Sequence, residues 1–153
     1  MRIVVDTREQ TPWTFPPWVQ VSRGTLPTGD YALAGDGWAI ERKGLDDFLG
    51  TVSTGWDRFL REIGRMDGWA AKVVVVEVDF AACCFCETLD GIISPRHSHP
   101  MLTPRFIASR IAELTMMGVS VLFAGDPGQA AALAYHLLRR REMELMMKGG
   151  QPT

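Results

Sequence analysis

Apolar and polar positions recur along the chain with two different periods, and these divide it into strands and helices. Ile3-Val4-Val5, closed by Asp6, predicts a short buried strand over residues 2–6. The segment from Thr11 to Pro17 contains Pro12, Pro16 and Pro17 and predicts a loop. Its aromatic residues either cover an edge of the core or form a lip that touches substrate. Residues 22–30, with Gly24, Pro27 and Gly29, read as turn-rich. Tyr31–Leu33 and Trp38–Arg42 then predict two strands joined at Ala34-Gly35-Asp36-Gly37, where Asp-Gly favours the positive φ angles of a hairpin turn.

Helical spacing follows. Gly44 opens a short helix running through Leu49, and Trp56, Phe59, Leu60 and Ile63 fall at i, i+3, i+4 and i+7, the mark of one buried face. Arg58, Arg61 and Arg65 make the opposite stripe, which suits either solvent or phosphate contact. The β-branched run Val73-Val74-Val75-Val76 predicts a central strand within residues 72–78, covered on both faces. Residues 80–90 look helical but are ambiguous, and Ser94–Leu102 reads as a polar loop. Thr103-Pro104 supplies an N-cap followed by proline at the first helical position. Ile107, Ile111 and Leu114 give that helix its buried face, and Gly118 ends it. Val119–Phe123 predicts another buried strand, and Asp126-Pro127 starts a last helix reaching to about Met147. Strands alternating with helices in the second half imply α/β layers around one core.

Composition narrows the class. The chain has 153 residues, 46% hydrophobic and 22% charged, as expected of one globular domain. Its net charge of −2 is not the basic balance of a protein that binds nucleic acid through backbone phosphates alone. Bound cations would offset acids gathered in a site. There is no signal-peptide pattern, and the apolar stretch around residues 73–86 is interrupted by Glu77 and Asp79, so no membrane partner is expected. Cys83, Cys84 and Cys86 do not form a secreted disulfide framework, and a cytoplasmic location is the simplest expectation.

The chemistry-bearing residues lie early in the chain. Paired antiparallel strands place Asp30, at the start of one, beside Glu41 and Lys43, at the end of the other. Glu41 and Lys43 are two apart and share a strand face. Asp6, with Arg8 and Glu9 just beyond it, adds further acid from the first strand. Asp6, Asp30 and Glu41 therefore form a candidate metal set for Mg²⁺, with Mn²⁺ as a substitute, because Mg²⁺ takes a few carboxylate oxygens together with water and phosphate. Lys43 would orient water or offset charge developing on the phosphate. Asp6, Asp30, Glu41 and Lys43 are the candidate catalytic residues, and Arg58, Arg61 and Arg65 are candidate DNA contacts. Arg42 falls on the strand face opposite Glu41, where it would brace the sheet against the next helix by pairing with Asp47.

Val5-Asp6-Thr7-Arg8-Glu9, Gly29-Asp30-Tyr31 and Glu41-Arg42-Lys43-x-x-x-Asp47 together resemble the nuclease domain of the XPF family of structure-specific endonucleases. The resemblance is specific over residues 4–47 and looser through Arg58-Phe59, the strand ending at Glu77, and the last strand and helix. It implies a three-layer restriction-endonuclease-like fold, a central mixed β-sheet flanked by helices, over residues 1–150, with a tail at 151–153. The implied function is metal-dependent endonuclease activity on branched, flap or single-strand-containing DNA, in repair or recombination, within a prokaryotic or phage-infected cell. It also implies that Glu9 joins the catalytic residues, that Arg8, Arg42 and Asp47 support them, and that copies form a homodimer through the C-terminal helix. The chain has no helicase region and no tandem helix-hairpin-helix, as in the short forms of phages and prokaryotes. A catalytically weak DNA-binding or scaffold subunit is the alternative, and a nuclease of this fold acting on RNA is another. Cys83 and Cys86 with His97 and His99 could hold zinc, though buried small hydrophobes suit the cysteines better.

Overall fold

The computed structural model describes residues 1–84, 86–88, 91–93 and 102–149. In chain order the elements are β1 (Arg2–Asp6), β2 (Gln20–Gly24), β3 (Tyr31–Leu33), β4 (Ala39–Lys43), α1 (Leu45–Val52), α2 (Trp56–Arg65), β5 (Lys72–Val76), α3 (Phe80–Cys84), β6 (Cys86–Thr88), β7 (Gly91–Ile93), α4 (Pro104–Met116), β8 (Val119–Phe123) and α5 (Pro127–Gly149). One mixed six-stranded sheet runs in the order β2-β1-β3-β4-β5-β8, and β6 and β7 pair separately. Only β3 is antiparallel to its neighbours, β1 and β4. The sheet's other pairings, β1 with β2, β4 with β5 and β5 with β8, are parallel.

Two apolar layers hold the sheet. Ile3, Val5, Tyr31, Leu33, Ile40, Val73 and Val75 face α5 and the Trp13–Phe15 loop. Val74 and Val76 face the opposite way, into Phe48, Val52, Phe59, Ile63, Ile107 and Leu114 of α1, α2 and α4. The valine run of β5 is buried on both sides for this reason, with β4 and β8 as its neighbours. Thr103 caps α4 as its sequence predicts, its hydroxyl accepting from the Phe106 N–H at 3.2 Å.

Several expectations change. Residues 20–24 form an edge strand rather than a turn; every residue but Gly24 is exposed, so no apolar alternation marks it. The β3–β4 hairpin takes its positive φ at Gly35 (+84°), not at Asp36-Gly37. β8 is an edge strand, and only Val119 is fully buried. The helix expected over 80–90 stops at Cys84, and β6 from Cys86 and β7 from Gly91 follow it. Phe85, most of the loop expected at 94–102, with His97 and His99, and the 151–153 tail lie outside the described residues. Cys83 and Cys84 are free and buried, and burial pushes the Cys83 thiol up to about 12. Among the described residues no helix is long and apolar enough to cross a membrane.

Candidate active site

The C-terminal ends of the parallel strands β1, β4 and β5 meet the start of antiparallel β3 at one end of the strands, where open α/β sheets place their ligands. Main-chain bonds fix the meeting. The Asp6 N–H donates to the Asp30 carbonyl at 2.8 Å, and the Asp30 N–H donates to the Ile40 carbonyl at 2.8 Å. Gly29, at φ +81°, makes the turn into Asp30.

Asp30 and Glu41 line one cleft of about 190 Å³, together with Arg8, Pro27, Thr28, Gly29, Glu62 and Arg65. Asp30 Oδ2 accepts the Arg42 main-chain N–H at 2.7 Å. Glu41 Oε1 accepts from Lys43 Nζ at 3.0 Å, the pairing that strand alternation predicts. Burial raises the Asp30 pKa to about 7, and repulsion from Glu41 adds to it against the Arg42 hydrogen bond. Burial also raises Glu41, against the pull of Lys43. Lys43 itself is buried among apolar atoms, 5.4 Å over the Phe59 ring. Burial disfavours its charge, but Glu41, Asp47 and Asp30 outweigh that and the ammonium is held above its ordinary value.

Asp6 and Arg8 form a support beside this cleft. The Arg8 Nε and Nη2 donate to the two Asp6 oxygens at 2.6 and 3.1 Å, and the Arg8 and Leu26 main-chain N–H groups donate at 2.8 and 2.7 Å. The Arg8 guanidinium leads in pulling the Asp6 pKa down to about 2. The sequence placed Asp6 among the metal ligands; in the structure its oxygens already accept four donors, and the described carboxylates of the cleft are Asp30, Glu41 and Glu62.

Arg42 turns to the other sheet face, as strand alternation predicts, but its partner is not Asp47. Its Nε and Nη2 grip Glu77 at 2.8 and 2.9 Å, and its Nη1 meets Glu9 at 2.7 Å and the Thr11 carbonyl at 2.9 Å. The Trp13 indole N–H also donates to Glu77. Asp47 instead stands 3.6 Å from Lys43. Glu9 is therefore tied to Arg42, close enough to Asp30 for its charge to act there.

Of the three arginines on α2, only Arg65 reaches the cleft, where its Nε donates to Thr28 Oγ1 at 3.1 Å. Arg58 lines a separate depression beside Asp46 and Asp47, and Arg61 is exposed. Sequence reasoning missed Glu62 and Glu77. Glu77 had a signal, as the polar residue that ends a buried parallel strand. Glu62 borders the apolar stripe of α2, three residues from Phe59.

A mixed six-stranded sheet flanked by helices, with carboxylates clustered at its strand ends, is a restriction-endonuclease-like fold. The ERCC4 domain model matches residues 5–137, and the chain belongs to the ERCC4 domain family. XPF from Aeropyrum pernix is similar in structure, with a TM-score of 0.67 at 23% identity over 95% of this chain and 67% of that one. The structure titled as that protein in complex with DNA gives a TM-score of 0.67 at 24% identity, over 94% of this chain and 66% of the other. The chain thus spans about two thirds of the length of those solved chains. No curated protein matches the sequence.

Proposed function

We propose that this protein is a divalent-metal-dependent endonuclease that hydrolyses phosphodiester bonds in DNA bearing branches or single strands. The observation that carries this is the joint placement of Asp30, Glu41 and Lys43: two carboxylates in one cleft, with a buried ammonium 3.0 Å from one of them. ERCC4 family membership and the similarity to an XPF solved with DNA support the same reading.

The donor set fits Mg²⁺ or Mn²⁺. Asp30 and Glu41 stand half-buried side by side, and burial raises both above ordinary carboxylate values, with their mutual repulsion adding to it at Asp30. Among the described residues the hydrogen bonds to these groups fall on Asp30 Oδ2 and Glu41 Oε1, leaving Oδ1 and Oε2 to face a cation. No three His, Cys, Asp or Glu side chains among the described residues are grouped closely enough to hold a metal alone. Two carboxylates completed by water and phosphate suit Mg²⁺. When bound, such a cation would polarise the phosphate and acidify water.

The remaining steps belong to the chain. Lys43 keeps its proton and offsets charge that develops on the phosphate oxygens. The Arg42 main-chain N–H orients Asp30, and Arg65 and Arg8 give the cleft walls positive charge. Asp6 holds Arg8 in place. Copies of the chain pair as a homodimer through the end of α5. Cleavage of branched and single-stranded DNA with Mg²⁺ tests the function. Asp30→Ala and Lys43→Ala are each expected to slow it by about a hundredfold or more. A wild-type protein that cuts none of these substrates, or variants that cut as fast as wild type, would remove the proposal.

A further inference from the structure

A larger cleft opens on the α5 side of the sheet. It is an open cleft of about 850 Å³ between the Thr11–Pro16 segment and α5, within the range of pockets that hold small organic groups. The cause lies in the sequence of α5. Gly128, Ala131, Ala132 and Tyr135 recur at i, i+3, i+4 and i+7, so a single helix face lines the space, and three of these residues have almost no side chain. Pro12, Trp13 and Phe15 make the facing wall. Tyr135 and His136, with ring centroids 5.2 Å apart, add aromatic surface.

Arg42 also lines this cleft, but its charge is matched internally by Glu77 and Glu9. The walls therefore offer apolar surface with Tyr135 and His136 as the accessible rings, Trp13 and Phe15 being almost wholly buried, and no spare cation. That suits a flat, uncharged group better than a phosphate. Arg42 also connects the cleft to the candidate active site, since its main-chain N–H holds Asp30 at 2.7 Å while its side chain reaches through to the other sheet face.

We propose that this cleft receives an unpaired nucleobase of the same DNA strand that presents its phosphate to Asp30 and Glu41. The assignment rests on the nuclease reading and adds a source of substrate choice to it. A base reaches such a cleft only when it is unstacked, so DNA with a single-stranded segment beside the cut is favoured over continuous duplex. The exposed hydroxyls of Thr11 and Thr14 and the His136 ring stand in the lining to meet the base's polar edge.

The test uses chelated, metal-free protein, so that binding is read without cleavage. The probe is a short single strand carrying a fluorescent purine analogue whose emission falls when it stacks. Wild type is expected to quench the probe. Ala132→Leu on α5 and Thr14→Leu on the facing loop fill the cleft from opposite walls, and either serves if the other fails to fold by circular dichroism. Each is expected to abolish quenching and weaken single-strand binding roughly tenfold, the scale of one stacked base, while duplex binding stays unchanged. Folded variants that quench and bind as wild type does would overturn the assignment. So would a cleft that instead takes an apolar peptide, because DNA quenching would then survive both substitutions. Loss of quenching in a protein that cleaves nothing would sink the nuclease reading and leave the base site standing. Cleavage with unaltered quenching in both variants would do the reverse.

Discussion

Asp30 lies half-buried beside Glu41, and its partial desolvation, with repulsion from Glu41 added, acts on the whole fold as well as on the site. Its carboxyl titrates near 3.8 when unperturbed and at about 7 in the fold. Below about pH 4 the folded and unfolded forms both hold the proton. Between there and pH 7 the unfolded chain releases it and the fold retains it, so stability falls as pH rises and levels off above 7. Asp6 and Asp36, both held below their ordinary values, act in the opposite direction but only at lower pH. Urea unfolding of chelated protein should therefore show a midpoint that declines from pH 4 to pH 7. Asp30→Asn should flatten most of that decline, and Mn²⁺ should restore the wild-type midpoint at neutral pH. A wild-type profile with no decline would mean that Asp30 ionises normally. Arg42 presents a separate case. Its bidentate pair with Glu77 is largely shielded from water, so Glu77→Ala leaves a shielded guanidinium short of its partner and should cost about 3 kcal/mol. Asp47→Ala should cost under about 1 kcal/mol, since that carboxylate is 60% exposed and 3.6 Å from Lys43. Chemical denaturation of the two variants side by side checks the contrast.

Among the elements, the β3–β4 hairpin contributes most of the site, and Gly29 sets its entry. At φ +81° a side chain is strained, and a Cβ there would fall 2.7 Å from the Ala39 Cβ and 3.3 Å from the Ile40 carbonyl. Gly29→Ala should lower stability by about 2–3 kcal/mol, combining left-handed strain with overpacking. It should also reduce cleavage beyond what stability explains, because Asp30 is the next residue. A thermal melt combined with cleavage assays well below the melting temperature separates the two effects. The same hairpin shows why part of the site was legible in the sequence. A short connection forces Asp30 beside Glu41, and strand alternation alone puts Lys43 on the Glu41 face and Arg42 on the other. The partner of Arg42 was not legible. Local spacing suggested Asp47, but Glu77 lies 35 residues away, just past the end of β5, and is brought near by the parallel register that sets Arg42 opposite Val75. β5 itself announced its place, because burial on both faces demands an unbroken apolar run. β2 could not, since an exposed edge strand imposes no such pattern.

For the molecule as a whole, α5 does two jobs along its length. Its first half is core: Ala130, Ala131, Ala134 and Leu138 are buried against the sheet. Two ion pairs then tie it down, Arg141 to Asp36 of the hairpin at 2.7 Å and Glu142 to the Met1 amino group at 3.2 Å. Past these anchors the helix carries Met143, Leu145, Met146 and Met147, all exposed. Met143, Met146 and Met147 are spaced i, i+3 and i+4 and make one stripe that the chain's own core does not use. A helix held in place by ion pairs while its apolar stripe is exposed suits the proposed pairing of two copies, since methionine adapts readily to a facing surface. A second copy would supply the same stripe in a self-complementary contact. If copies pair here, sedimentation should give a dimer, and the melting temperature should rise with protein concentration because association stabilises the folded form. Met146→Glu combined with Met147→Glu should yield a monomer whose melting temperature no longer depends on concentration. Both positions are exposed and lie beyond the anchoring ion pairs, so the monomer should keep its fold and its far-ultraviolet circular dichroism. A wild-type protein that sediments as a monomer at every concentration, with a fixed melting temperature, would show that the stripe does not join two copies.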